Sequence, residues 1–319
     1  MKFVFGPVPS RRLGQSLGID PVPSKTCNWN CVYCQLGRTR PVTNKRKHFF
    51  AVEEILDELK QALMGHSPGE IDWVTFVGSG ETCLHAGLGE MICAVKSITT
   101  LPVAVITNGS LLYREDVRRE LSAADAVLPS LDAGNQELYR KINRPHPEIK
   151  FQRLIEGLSA FRQEYRGKLW VEVMLIRGLN DPAAALEELA SRLRQIQPDE
   201  IHILLPTRPP CEPWVQPSNQ EGIALAQSIL GGSAHVLPPA TGSFDLGGFT
   251  SPEEAVIGII TRHPMREQEI MEALALWPRV DVANAMQILQ KSGRVQIVEK
   301  RGERFWSLAG FVYPPEAGE

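Results

Sequence analysis

From residue 16 to about residue 240, short apolar runs alternate with amphipathic stretches. "SLGIDPVP" (16–23), "IDWVTFVG" (71–78), "PVAVITNG" (102–109), "DAVLPSLDA" (125–133), "LWVEVMLI" (169–176) and "EIHILLPT" (200–207) are nearly continuous in apolar residues. Runs of that length, bounded by Gly, Pro and Asp, read as strands buried on both faces. The stretches between them repeat with a helical period. In "AVEEILDELKQALM" (51–64), Ile55, Leu59 and Leu63 share one face, and acidic residues occupy the first turn. Further helices are predicted over 88–98, 114–124, 150–165, 182–196 and 218–230, with Pro182 after Asp181 marking a capped start. Six strand–helix units predict a parallel sheet with helices outside, curled into a partial (β/α)6 barrel of α/β class.

The pattern then changes. Residues 231–252 are rich in Gly, Pro and Ser, which reads as a connection. Beyond it come three helical patterns and two alternating strands around a Lys-Arg-Gly-Glu turn, the order of a winged helix-turn-helix. The division is a barrel over 1–240, a linker over 241–250 and a small α+β winged-helix-like domain over 251–319. From 250 to 319 there are eight Lys/Arg and ten Asp/Glu, a net of −2. The third helix, "DVANAMQILQKS", carries one Lys and no Arg. DNA-reading helices are usually basic, so DNA binding is disfavoured, and the domain is expected to present or cover a substrate.

Composition narrows the picture further. The chain has 319 residues, 43% of them hydrophobic, and a net charge of −3, so nucleic-acid binding would have to rest on a local patch. It has no apolar run long enough to span a membrane and no signal-peptide core in "MKFVFGPVPSRRLGQ". A cytoplasmic protein is expected. Three of the six cysteines are clustered, which suits a reduced protein with a metal centre better than a disulfide scaffold.

That cluster is "TCNWNCVYCQLG" (26–37), with thiols at Cys27, Cys31 and Cys34. Three thiolates can hold three irons of a cubane whose fourth iron stays open. The alternative is a zinc site completed by His48 or Cys83, although zinc ribbons usually show a second Cys-x2-Cys pair. The spacing Cys27-x3-Cys31-x2-Cys34, with Tyr33 before the last cysteine, resembles the radical S-adenosylmethionine (SAM) signature. "GPVPSRRLGQSLGIDPVPSKTCNWNCVYCQLGRT" is most similar to the bacterial and archaeal Fe–S oxidoreductase group related to wyosine-tRNA synthesising enzymes. The resemblance implies a [4Fe–4S] cluster, SAM bound at its open iron, and a one-electron donor such as flavodoxin or ferredoxin. It also implies reductive cleavage of SAM to a 5′-deoxyadenosyl radical.

Further motifs follow at successive strand ends, the face where parallel barrels place their chemistry. "VGSGET" (77–82) resembles the family's Gly-Gly-Glu segment for the methionyl amino group, through Gly78, Gly80 and Glu81, but with Ser79 intervening. Asn108 in "ITNGS", and Ser130 and Asp132 in "PSLDA", are candidates for the ribose and carboxylate of SAM. Met174, Ile176 and Gly178 in "VMLIRGLND", and Leu205 in "HILLPT", are candidates for the adenine pocket. Cys83 and Cys211 are candidate catalytic or substrate-contacting thiols, while Cys93 reads as a buried helix position.

For the substrate there is a basic stretch beside the cysteine loop, with Arg38, Arg40, Lys45, Arg46, Lys47 and His48 uninterrupted by acids. Arg11 and Arg12 extend it, and Arg144 and His146 in "NRPHP" are further candidates. Such a patch suits phosphates. It favours RNA of tRNA type over a peptide or protein as the substrate of a radical enzyme. The reading from another class is a non-catalytic Fe–S or zinc regulator that binds DNA through the C-terminal domain.

Overall fold

The computed structural model describes residues 2–237 and 249–314. Strand β1 (Val4–Ser10) turns back into β2 (Gly14–Ile19) as an antiparallel hairpin. From β2 onward the neighbours are parallel and follow chain order: β3 (Trp73–Phe76), β4 (Val103–Thr107), β5 (Ala126–Pro129), β6 (Lys168–Met174), β7 (Glu200–Leu204) and β8 (Ala234–Val236). The crossovers carry α1 (Val52–Met64), α2 (Leu88–Ile98), α3 (Glu115–Leu121), α4 (Gln136–Ile142), α5 (Phe151–Glu164), α6 (Ala183–Ile196) and α7 (Gln220–Leu230). The eight-stranded sheet stays open between β1 and β8, so the barrel is partial.

Alternation along the strands explains why both faces read as apolar. Val74, Val103, Val105, Val127, Val171, Val173, Ile201 and Ile203 point outward into the main core with the helices. Ala104, Ala126, Leu128 and Trp170 point into the lumen, where Leu13 from the β1–β2 turn plugs the lower end. Above that plug the lumen turns polar. The Ser16 and Thr75 hydroxyls share a 2.6 Å hydrogen bond, and Arg12 forms an ion pair with Glu172.

The structure departs from the periodicity in several places. β1 contains Pro7 and Pro9 and a bulge between Phe5 and Val8. Proline is tolerated there because β1 is an edge strand. Asp181 does not cap α6. Its carboxylate accepts instead from the Gly178 amide (2.6 Å) and the Ser218 hydroxyl (2.7 Å), and the helix starts at Ala183 after Pro182. Cys93 is exposed, because α2 buries Leu88, Met91, Ile92 and Val95 and position 93 falls on its solvent face.

The small domain runs α8 (Pro252–Ile260), β9 (Met265–Arg266), α9 (Glu267–Ala273), α10 (Arg279–Lys291), β10 (Val295–Lys300) and β11 (Glu303–Leu308). This helix–strand–helix–helix–strand–strand order is that of a winged helix. Its antiparallel sheet is ordered β10-β11-β9, and Arg301 and Gly302 take left-handed φ at the hairpin turn. The expected linker over 241–250 lies almost wholly outside the described residues. The domain has its own core, with Val256, Ile270, Leu274, Met286 and Trp306. It also seats on the barrel: Tyr313 Oη donates to the Gln35 carbonyl (2.5 Å), the Arg38 amide donates to the Val312 carbonyl (2.8 Å), and Lys300 donates to the Pro213 carbonyl.

Candidate active site

The cysteine loop follows β2 and is held by backbone pairing to residues 142–146. The Val32 amide donates to Ile142, Asn30 to Asn143, and His146 to the Asn28 carbonyl. Trp29 is buried and meets Tyr139 edge-on at 5.4 Å. Asn28 and Asn30 complete the loop: Asn30 Oδ1 accepts from the Thr39 amide (2.8 Å), and Asn28 joins Ser110 (2.8 Å) and Asn108 (2.7 Å).

Each thiol meets a different N–H donor. Cys27 Sγ accepts from the Trp29 amide (3.4 Å) and Asn108 Nδ2 (3.9 Å), Cys31 Sγ from Asn143 Nδ2 (3.7 Å), and Cys34 Sγ from Lys25 Nζ (3.2 Å). Donors aimed at sulfur suit thiolates that carry negative charge, as cluster ligands do. Burial pushes the Cys27 thiol up to about 12, and pushes Cys31 well above its usual range. A bound cation reverses that preference, because coordination deprotonates a thiol outright. Among the described residues, no three His, Cys, Asp or Glu side chains gather tightly enough for a single ion. Cys83 is bonded to Thr107 Oγ1 at 3.3 Å, and the ring of His48 lies against His85. Three thiols, each with its own N–H donor, fit a cluster that takes one thiolate per iron.

A cleft opens beside the loop, lined by Cys27, Trp29, Cys31, Tyr33, Val77, Gly78, Gly80, Glu81, Ile106, Thr107, Asn108 and Ser130. Its floor is the Gly-Ser-Gly-Glu turn after β3, tied to the start of the cysteine loop. The Glu81 amide donates to the Thr26 carbonyl (2.8 Å), and the Lys25 amide to the Ser79 carbonyl (2.8 Å). A Cβ on Gly80 would lie 2.0 Å from Thr26 O, so only glycine allows this approach. Ser79, the departure from Gly-Gly-Glu, bonds Asp20 through both its amide (3.1 Å) and its hydroxyl (2.8 Å). Gly80→Ala is expected to force the turn off the loop at a cost of roughly 1–3 kcal/mol. Urea unfolding measures this, and a midpoint equal to the parent's would contradict the packing argument.

Glu81 is buried, and three donors already hold its carboxylate: the Cys83 amide (2.9 Å), Thr107 Oγ1 (2.6 Å) and the Asn108 amide (2.7 Å). Burial raises its pKa, and these bonds oppose the rise. Asp132 lies behind the cleft. It accepts from Tyr33 Oη (2.6 Å), Asn143 Nδ2 (2.6 Å) and the Met174 amide (2.8 Å). Burial pushes its carboxyl up to about 6 against those bonds. Asn143 thus joins Asp132 to Cys31. Met174 and Ile176 pack beside Tyr33. Asn180 braces them, accepting from the Ile176 amide (2.7 Å) and donating to the Asp132 and Met174 carbonyls. Leu205 packs against the main core. Asp132, Met174, Ile176 and Leu205 do not line the cleft.

The remaining candidates are dispersed. Cys83 is buried outside the cleft. Cys211 is buried too, with Sγ 3.9 Å from Glu212 Oε1. Several basic residues are engaged internally, which works against a continuous basic surface. Arg38 forms a two-pronged pair with Glu212 (3.1 Å each), and Arg144 meets the same carboxylate at 2.5 Å. Arg46 bonds the Cys83 and His85 carbonyls, Glu120 and Asp116. His146 Nδ1 accepts from the Glu148 amide. Arg40, Lys45 and Lys47 are exposed, and the Lys47 ammonium lies 5.0 Å over the Phe49 ring.

The sequence matches the Radical SAM superfamily profile over residues 22–193. It is 36% identical over 301 residues to a protein of Brachyspira hyodysenteriae named GTPase Obg, spanning 92% of this chain and 43% of that one. It is 36% identical over 281 residues to a UPF0026 protein of Methanocaldococcus jannaschii, spanning 86% of each. The chain thus spans less than half of the first relative and most of the second. In fold it resembles a radical SAM methyltransferase from Sphaerobacter thermophilus, with a TM-score of 0.53 and 19% identity over 69% of this chain and 66% of that one. The chain belongs to the radical SAM superfamily, whose enzymes bind a [4Fe–4S] cluster and SAM. Among the described residues, no helix is long and apolar enough to cross a membrane.

Proposed function

We propose that Cys27, Cys31 and Cys34 hold a [4Fe–4S] cluster with one iron left for SAM, and that the enzyme modifies an RNA of tRNA type. The methionine end of SAM is assigned to Gly78, Gly80 and Glu81, and its ribose side to Asn108 and Ser130, with Tyr33 packed against it. When bound, the cluster and SAM supply reductive cleavage and a radical that removes a hydrogen atom from carbon. The protein's own residues do the rest. The N–H donors stabilise the negative charge on the thiolates, the Gly-Ser-Gly-Glu turn shapes the cleft, and the small domain covers the loop from 35 to 38. The observation that carries this reading is that Cys27, Cys31 and the glycine turn line one cleft, while each of the three thiols meets an N–H donor. A flavodoxin or ferredoxin would supply the electron. The test is anaerobic incubation of the reconstituted, reduced protein with SAM. Formation of 5′-deoxyadenosine is expected, and a reduced cluster that leaves SAM intact would reject the reading.

The RNA part rests on Arg40, Lys45 and Lys47, which stay exposed beside the cysteine loop. Neutralising all three to Gln is expected to weaken RNA binding. It should also flatten the dependence on log salt by about 0.7 for each single-strand phosphate that the protein no longer neutralises. Filter binding across a salt series measures this. An unchanged slope would remove RNA from the proposal.

A further inference from the structure

Between the cysteine loop, the segment after β7 and the small domain lies a second polar cluster, separate from the cleft. Arg208 Nη1 donates to Gln35 Oε1 (3.2 Å) and His263 Nδ1 (3.4 Å), and Gln35 Nε2 donates to the Arg262 carbonyl (2.8 Å). Arg262 reaches over the Phe5 ring at 4.1 Å and pairs with Asp20 at 3.3 Å. Arg11, from the β1–β2 turn, stands close enough to act electrostatically on both Arg208 and His263.

The charges in this cluster do not cancel. Arg12 has Glu172, and Arg262 has Asp20. Among the described residues, Arg208 has no carboxylate in contact, and Arg11 has neither an ion pair nor a hydrogen bond, while Glu172, already paired with Arg12, acts on Arg11 only from a distance. Glu269 acts on Arg208 from a distance, but its carboxylate is held by Arg266 through Nη2 (2.6 Å) and the amide (2.9 Å). Burial pulls Arg208 down to about 10, with Arg11 adding to the effect. Burial and the Arg208, Arg262 and Arg11 guanidiniums hold His263 well below its usual range. Arg11 and Arg208 are half-buried, and a guanidinium partly withdrawn from water without an anion gains from a ligand that completes it. The planar fork of arginine matches the oxygens of a carboxylate or phosphate.

We propose that Arg208, with Gln35 and His263 in contact with it and Arg11 adding positive charge nearby, binds an oxyanion group of the substrate, a carboxylate or a phosphate, next to the cysteine loop. This rests on the reading that the substrate enters the barrel next to the cluster. It also gives the small domain a part in binding, since His263 and Arg262 come from it. Gln35 belongs to the cysteine loop, so a group bound there would hold the substrate against that loop.

The test uses the full-length protein with inorganic phosphate and, separately, acetate, each compared with chloride at equal ionic strength. Saturable thermal stabilisation by at least one of the two is expected. Phosphate stabilisation alone assigns a phosphate, and acetate stabilisation alone assigns a carboxylate. In the Arg11→Gln/Arg208→Gln double variant the affinity should fall about tenfold or more, while Arg119→Gln, at an exposed helix position, keeps it. Stabilisation by neither anion, or stabilisation that survives in the double variant, would overturn the proposal. A second measurement needs only the wild type. The same anion should protect the peptides carrying Arg11 and Arg208 from phenylglyoxal, as read by mass spectrometry, and protection only elsewhere would overturn it. Formation of 5′-deoxyadenosine by the wild type without either anion reports separately on the proposed function, so the two readings can fail independently.

Discussion

Cys31→Ala is expected to give a folded protein that retains no stable [4Fe–4S] cluster and cleaves SAM only at background rate. Cys31 is partly buried on a loop pinned through Trp29, Val32 and Asn30, so the fold does not depend on its sulfur. Removing one small buried side-chain atom costs about 1 kcal/mol. The proposed cluster would lose one of only three protein ligands, and two thiolates would leave half of its irons without protein. The activity loss should exceed the roughly 10–100-fold typical of changing an outer hydrogen-bond partner, the role Asn143 plays toward Cys31. Iron and sulfide analysis after anaerobic reconstitution checks the prediction. Full iron content in Cys31→Ala would place the metal elsewhere.

The second large effect is on stability. Asp132→Ala removes the acceptor shared by Tyr33 Oη, Asn143 Nδ2 and the Met174 amide. All three donors would be left with few alternatives, because Asp132 and Asn143 are buried. Unpaired buried donors cost about 1–3 kcal/mol each, so a loss of about 3 kcal/mol or more is expected in denaturant unfolding of the metal-free protein. Cluster loading should fall as well, since Asn143 and Tyr33 both lose the partner that orients them next to Cys31. A loss below about 1 kcal/mol would mean that water replaces the carboxylate, and that Asp132 does not organise the loop.

Local pattern and long-range pairing divide what could be read from the sequence. The cysteine spacing, the six strand–helix units and the winged-helix order are local, and each is visible in residue types and periods. β1 was hidden by Gly6, Pro7 and Pro9, and β8 by its three-residue length. Ser130 and Asp132, two residues apart in the chain, do not share a strand face, because β5 ends at Pro129. Beyond that point Ser130 bridges to Glu172 while Asp132 turns onto the Met174 amide. Only part of the basic stretch is left exposed, for a similar reason. Arg38, Arg46 and Arg144 find Glu212, Asp116 and Glu120, partners many residues away that no local composition announces. The "NRPHP" segment drew attention to Arg144 and His146, yet Asn143 makes the contact to Cys31. Lys25, which bonds Cys34, carried no signal beyond its left-handed backbone, and that is a property of the fold.

The central claim is that three thiols leave one iron of the cluster open to SAM. Electron paramagnetic resonance of the reconstituted, reduced protein, recorded with and without SAM, tests it most directly. A changed spectrum on adding SAM, marking a new ligand at the cluster, is the predicted result. An identical spectrum at saturating SAM, from a cluster shown by iron analysis to be intact, would contradict it.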